Sequence, residues 1–262
     1  MLNRHTRLRT LAICAVPVVA LLAVAGFAPL PFTVAQPGLT ADVLGDVNGK
    51  PVITVSGAPV RKTSGQLRMT TIEATGPSEN IDLGEVVDAW FRTDQAVMPR
   101  GSVYPSGGSD KAIEQHNLAE MKESQEDAAK AALSYLGEDP SKVKVELSLG
   151  DVGGPSAGLL FSLGIIDKLA GNGSGGDLTG GRVVAGTGTI TADGTVGAVG
   201  GVPLKTQAAR RDGATVFLVP KAECADAQVE LPQGLQLIPV TTLKGAVSAL
   251  ESLQKGGPVP HC

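Results

Sequence analysis

Aromatic side chains make up only 3% of this 262-residue chain. That scarcity excludes a platform on which successive bases of a nucleic-acid strand stack. Positive charge is not in excess either, with 22 Lys and Arg against 26 Asp and Glu and a formal net charge of −4. A polyanionic partner is therefore not expected. Histidine occurs three times, and no His/Cys/Asp/Glu group has metal-ligand spacing, which argues against a metallopeptidase, and no cofactor is expected. No G-x-x-x-x-G-K-[ST] loop is present, so ATP is not an expected ligand. The three cysteines cannot all pair. Cys14 lies in an apolar run. Cys224 and Cys262 are available for a bridge outside the cytoplasm, but the plain expectation for each is a free thiol.

What is present begins with Arg4, Arg7 and Arg9, followed by a nearly uninterrupted apolar run over 11–32. About 20 such residues suffice to cross a bilayer as a helix. The basic flank predicts a cytoplasmic N-terminus and an extracytoplasmic remainder. Residues 1–35 are thus read as a signal anchor, with a cleaved signal peptide cut near Val34-Ala35-Gln36 as the competing reading. Residues 36–49 read as a linker, 50–255 as one folded domain, and 256–262 as a disordered tail. Lys50 to Ser56 and Leu67 to Ala74 read as strands joined hairpin-fashion at Gly65. Ile81 to Phe91 reads as a short helix in which Trp90 anchors the core, and Pro99 to Gly108 as a loop. Leu118, Met121, Gln125, Ala128, Ala132 and Leu136 recur at helical steps, which predicts an amphipathic helix over 111–136. Gly171 to Gly176 reads as a flexible loop, Thr215–Val219 and Leu235–Val240 as strands, and Thr242 as the cap of a final helix.

The chemistry centres on Gly153-Gly154-Pro155-Ser156-Ala157-Gly158. An alternating strand (Val143, Val145, Leu147, Leu149) runs into it and an apolar helix leaves it. This strand–turn–helix places Ser156 where free N–H groups and the helix dipole favour a negative oxygen. The ordinary alternative is a serine that caps a helix. The segment also fits G-x-S-x-G, the nucleophile elbow of serine hydrolases. That motif needs a histidine, and only His261, in the tail, follows Ser156. Lys205, in Gly200-Gly201-Val202-Pro203-Leu204-Lys205, is the better base. It opens a helix in a stretch poor in charge, where desolvation lowers an amine's pKa into the range of general-base work.

With these residues in view the chain resembles the proteolytic domain of Lon-type Ser–Lys peptidases. The matching stretches are Gly154-Pro155-Ser156-Ala157-Gly158, Gly186-Thr187-Gly188-Thr189-Ile190 and Gly200-Gly201 with Lys205. Ala208 to Ala214, Val216 to Pro220 and Met121-Lys122-Glu123-Ser124 continue the match. The resemblance implies an α+β fold similar to the ribosomal protein S5 domain 2-like architecture, with a mixed sheet and packed helices. It implies Ser156 as nucleophile, Lys205 as base, Thr187 as the residue orienting Lys205, and the backbone around Gly154 and Ala157 as the oxyanion region. It also implies peptide or unfolded-protein substrates and assembly into a homo-oligomeric ring. Gly153 stands where many Lon enzymes carry an Asp, so no carboxylate role is carried over there. Membrane-anchored relatives often insert a PDZ domain before the active strand, and here no room for one exists. Without the phosphate loop of the ATP-driven half, the implied activity is ATP-independent. The competing function is a non-catalytic envelope scaffold that keeps the fold. Ser252-Leu253-Gln254-Lys255 spells S-x-x-K at a helix end, without the context that penicillin-recognising chemistry needs, and is read as chance.

Overall fold

The structure, a computed structural model, describes residues 4–104, 110–149 and 154–262. The chain opens with α1 (Arg4–Phe27), β1 (Phe32–Asp42), β2 (Asp46–Val47), β3 (Lys50–Pro51), β4 (Ile53–Ser56) and β5 (Gln66–Ala74). Then follow α2 (Leu83–Trp90), β6 (Ala96–Pro99), α3 (Arg100–Val103), α4 (Asp110–Leu136) and β7 (Lys144–Leu147). Beyond the serine turn come α5 (Gly158–Leu169), β8 (Val183–Gly186), β9 (Thr189–Ile190), β10 (Val196–Gly197) and α6 (Val202–Arg211). The chain closes with β11 (Val216–Pro220), α7 (Cys224–Gln228), β12 (Gln236–Val240) and α8 (Leu243–Gln254). Two compact units result: Met1–Ala35 with Ala74–Asp110, and Gln36–Glu73 with Lys111–Cys262.

The second, larger unit is a mixed α+β structure. Its main sheet runs β12-β11-β8-β5-β1. The β12–β11, β11–β8 and β8–β5 ladders are all parallel. β4 and β7 form a separate antiparallel pair, with Ile53 opposite Leu147 and Val55 opposite Val145. The hairpin expected at Gly65 is therefore not formed. β5 instead pairs with β8, where Leu67 lies opposite Val184, and the burial of Leu67 and Met69 in that ladder outweighs local connection. α5 explains where the core sits. Every residue from Gly158 to Asp167 is buried, and Leu159, Leu160, Phe161, Leu163 and Ile165 are fully so. A helix apolar on all faces belongs in the interior. Its one buried hydroxyl, Ser162, donates to the carbonyls of Ala128 on α4 and Gly158, both at 3.1 Å. α8 starts at its predicted cap, where Thr242 Oγ1 accepts from Gly245 N–H at 3.0 Å.

Several expectations are corrected. Residues 36–49 are not a linker. Gln36 to Asp42 continue β1, and Val43 and Leu44 are buried. The Gly171–Gly176 loop is ordered by hydrogen bonds. Asn172 Oδ1 accepts from Ser174 and Gly176 N–H, both at 2.9 Å, and Arg61 donates to the Gly175 carbonyl at 2.9 Å. The tail is not free, because Cys262 is disulfide-bonded to Cys224 with Cα atoms 5.3 Å apart. The two cysteines expected as free thiols thus staple the C-terminus to α7.

The first unit contains α1, α2, β6, α3 and the start of β1. β1 and β6 pair antiparallel, with Phe32 opposite Pro99. The segment read as a loop from Pro99 holds the end of β6 and the single turn α3, and residues 105–108 of it lie outside the described residues. α1 stops at Phe27, earlier than the apolar run over 11–32 suggests, because Pro29 and Pro31 cannot continue it. Among the described residues no helix is long and apolar enough to cross a membrane. Trp90 does not anchor the core. It is 72% exposed, and in α2 only Ala89 is buried.

Candidate active site

Ser156 lies in a 3-10 turn, Pro155–Ala157, that leads into α5. Gly154 enters the turn at φ +94°, which a side chain would strain. Gly158 is required for a different reason. A Cβ there would stand 2.8 Å from Ile190 Cγ2 and 2.9 Å from Ser124 Oγ, so α5 begins in direct contact with β9 and α4. The turn is held from both sides. The Pro155 carbonyl accepts the Ser124 hydroxyl at 2.9 Å. The Ser156 carbonyl accepts Gly188 N–H at 2.9 Å and the Thr187 hydroxyl at 3.3 Å, while Gly188 returns a bond by accepting Leu159 N–H at 3.1 Å. Ser156 itself is half-buried, which leaves it accessible.

Lys205 is carried on α6. The helix is entered through Gly201 in the left-handed conformation (φ 69°, ψ 26°), with proline in its first turn. A Cβ on Gly201 would also stand 2.8 Å from Ile72 Cγ2. Lys205 is only 4% exposed, and its Nζ donates to Thr187 Oγ1 at 3.1 Å. Burial pushes its pKa down to about 8, and the Glu223 carboxylate pulls weakly the other way. Glu223 is itself held above the usual carboxylate range, by burial and then by Asp226, against the opposing pull of the Val199 N–H bond and Lys205. Its Oε2 is buried with no hydrogen-bond partner.

Thr187 therefore joins the two predicted residues through one hydroxyl. It accepts from the Lys205 amine and donates to the Ser156 backbone carbonyl. Its own position is fixed by complete burial and by its N–H donating to the Leu218 carbonyl at 3.1 Å. Gly154 and Ala157, named for the oxyanion region, flank Ser156 in the turn, and Gly154 is held from α4. Its N–H donates to the Asn117 carbonyl at 3.2 Å. Gly153 lies outside the described residues. The histidines are placed elsewhere. His116 pairs with Glu120 at 3.3 Å on the exposed side of α4, and His261 is exposed in the stapled tail. Ser252, of the S-x-x-K string, donates to the Pro258 carbonyl at 2.7 Å and serves the tail. Among the described residues no group of three or more His, Cys, Asp or Glu is placed to hold a metal ion.

The profile of the Lon protease (S16) C-terminal proteolytic domain matches residues 118–251, which include Ser156, Thr187 and Lys205. The chain belongs to the Lon protease family. It is 28% identical over 163 residues to the Lon protease of Mesomycoplasma hyopneumoniae (strain 232), an alignment covering 53% of this chain and 18% of that protein. The chain thus spans about a fifth of the length of this curated relative. The α+β architecture of the larger unit, with its mixed sheet and packed helices, agrees with a Lon-type proteolytic domain. Three residues that neighbour the serine turn or act on Lys205 escaped the sequence reading. Asn117 and Ser124 hold the serine turn from α4, and the Glu223 carboxylate acts through its charge on Lys205. Ser124 falls in the Met121–Ser124 stretch that carries the resemblance, so a polar residue on the buried side of an amphipathic helix was the available signal. Asn117 acts through its backbone and Glu223 through tertiary packing, so neither leaves a local pattern.

Proposed function

We propose that the chain is a serine endopeptidase working through a Ser156–Lys205 dyad. The observation that carries this reading is the buried Lys205 amine bonded to Thr187, whose hydroxyl also bonds the Ser156 backbone. A lysine that loses its proton near pH 8 holds an appreciable neutral fraction at neutral pH, which an exposed lysine does not. In the proposed cycle Ser156 Oγ bonds to the peptide carbonyl carbon while its proton passes to Lys205 Nζ. The Ala157 region receives the developing oxyanion at the dipole-positive start of α5. The C–N bond then breaks, and the ammonium of Lys205 returns the proton to the leaving amine. Water, deprotonated by Lys205, hydrolyses the ester. Thr187 is a positioning residue that aims the amine.

Unfolded chains are the proposed substrates and ATP is not required, since no phosphate loop occurs in these residues. We further propose assembly as a homo-oligomeric ring and, from the basic flank and the apolar run over 11–32, anchoring in the cell membrane with the peptidase domain outside. The Cys224–Cys262 disulfide supports an oxidising compartment.

The test is cleavage of a peptide pool without nucleotide by the wild type and by Ser156→Ala, Lys205→Ala and Lys205→Arg. Arginine keeps the charge but cannot act as a base. Wild-type cleavage lost in all three variants is expected. Undiminished cleavage by Lys205→Arg would remove lysine from the mechanism, and wild type as inert as Ser156→Ala would favour the scaffold.

A further inference from the structure

α2 is a well-formed helix despite its eight residues, because Asp82 and Glu85 close a reciprocal capping box, each bond 2.9 Å long. Leu83, Val87 and Trp90 lie at helical spacing on one stripe, which Phe91 extends. All four are uncovered, at 42%, 47%, 72% and 83% exposure. Two adjacent aromatics in solvent are notable in a chain with eight aromatic residues, of which Phe161 and Phe217 are fully buried. A contiguous apolar surface of this kind marks a contact site.

Its occupant is narrowed by place and size. The backbone bond from Leu30 N–H to the Ile81 carbonyl, 2.8 Å, ties the chain leaving α1 to the chain entering α2, and the two helices pack together. The start of α2 therefore lies near the end of α1, whose last residue, Phe27, is 81% exposed. Further back on α1, Ile13, Val16, Leu21 and Leu22 are between 67% and 71% exposed. Both exposed apolar surfaces belong to the same unit, on helices that pack together. A second copy of the chain is a poor fit. An eight-residue helix is about 12 Å long, and its two aromatics offer at most roughly 500 Å², against about 800 Å² per partner in a stable dimer. A bilayer sets no such minimum, and tryptophan is a residue of the headgroup boundary.

We infer that α2 lies on the membrane surface, with Leu83, Val87, Trp90 and Phe91 inserted at the boundary between headgroups and acyl chains, next to where α1 ends. This rests on the reading of α1 as an anchor and is independent of the peptidase mechanism. The helix then holds the first unit against the bilayer as a second contact beside the anchor. Its Glu85 lies on the opposite face and remains in water, and Asp88 borders the stripe at the headgroup level.

Trp90 is the only tryptophan, so its fluorescence reports this site alone. The experiment uses the full chain reconstituted in phosphatidylcholine–phosphatidylglycerol vesicles, with lipids brominated on their acyl chains as membrane quenchers and iodide as the aqueous quencher. The expected result is blue-shifted emission, strong quenching by brominated lipid and several-fold weaker quenching by iodide. Val87→Glu/Phe91→Glu, which alters only exposed positions, should restore water-like emission while the protein still sediments with the vesicles. Vesicle-bound protein whose Trp90 stays open to iodide overturns the inference and leaves the anchor standing. Protein that does not sediment with vesicles overturns both. Trp90 shielded in a lipid-free dimer overturns it in favour of a second copy. Peptide cleavage in the same samples reads the peptidase proposal separately.

Discussion

The pH dependence of cleavage reads the state of Lys205 directly. Its burial brings the pKa from 10.5 to about 8. At pH 7 the neutral fraction is then about 10%, against about 0.03% for an unperturbed lysine. If neutral Lys205 is the base, kcat/KM follows that fraction, rising ~90-fold between pH 6 and 9 and levelling above about pH 9. An unperturbed lysine would give a rise of ~1000-fold over the same interval and would still be climbing at pH 9. The assay is initial-rate cleavage of a quenched fluorescent peptide in constant-ionic-strength buffers. The same burial has a consequence for stability. The unfolded chain keeps the lysine proton up to about pH 10.5 while the folded chain releases it near 8, so folding stability rises with pH between those values. Below pH 8 the buried ammonium costs up to ~3 kcal/mol. Lys205→Met should therefore be inactive yet more stable than wild type at pH 7, by chemical denaturation. A rate climbing with unit slope beyond pH 10, or a Lys205→Met protein that loses stability, would refute the depressed amine.

Three further outcomes follow from neighbouring groups. Glu223→Gln removes the negative charge that supports protonated Lys205 while its amide oxygen can still accept from Val199, so the acid limb of the profile should move to lower pH; an unmoved limb would exclude coupling between the two. Asp167 is buried and held up to about 6, chiefly by desolvation, so its contribution to stability, at most about 3 kcal/mol, is present below pH 4 and lost as the pH rises through 6. Asp167→Asn, which can keep the bond from Leu178 N–H, should flatten that dependence in urea titrations between pH 4 and 7. Replacing both Cys224 and Cys262 by serine opens a loop whose ends are separated by 38 residues, and loop-closure entropy gives a loss of roughly 2–4 kcal/mol in urea unfolding; a loss under about 1 kcal/mol would mean that the tail is fastened by other contacts.

Where one periodicity dominated, the sequence was readable. The 111–136 helix, the Thr242 cap and the turn around Ser156 were each specified by residues close in the chain. The Lys205–Thr187 pairing was legible only through the family resemblance, because two separate glycine turns converge on it. Other features failed for physical reasons. Pro37-Gly38 looked like a linker, yet Gly38 sits in β1 where the strand closes on Thr71 of β5, and a glycine in a strand marks such an approach. The Cys224–Cys262 bond joins distant residues that no local pattern pairs. The short helix over 81–91 was recognised, but its apolar residues do not say what covers them, and Trp90 is left in the open.

The central claim is that Ser156 attacks the substrate with Lys205 as its base, and the acyl-enzyme is its most direct witness. Protein turning over a peptidyl ester without nucleotide would be quenched in acid and examined by intact mass and peptide mapping. The account predicts an acyl adduct on Ser156 in the wild type, none in Ser156→Ala, and a strongly reduced amount in Lys205→Ala. An adduct on another residue, or one formed equally fast on Ser156 without Lys205, would contradict it.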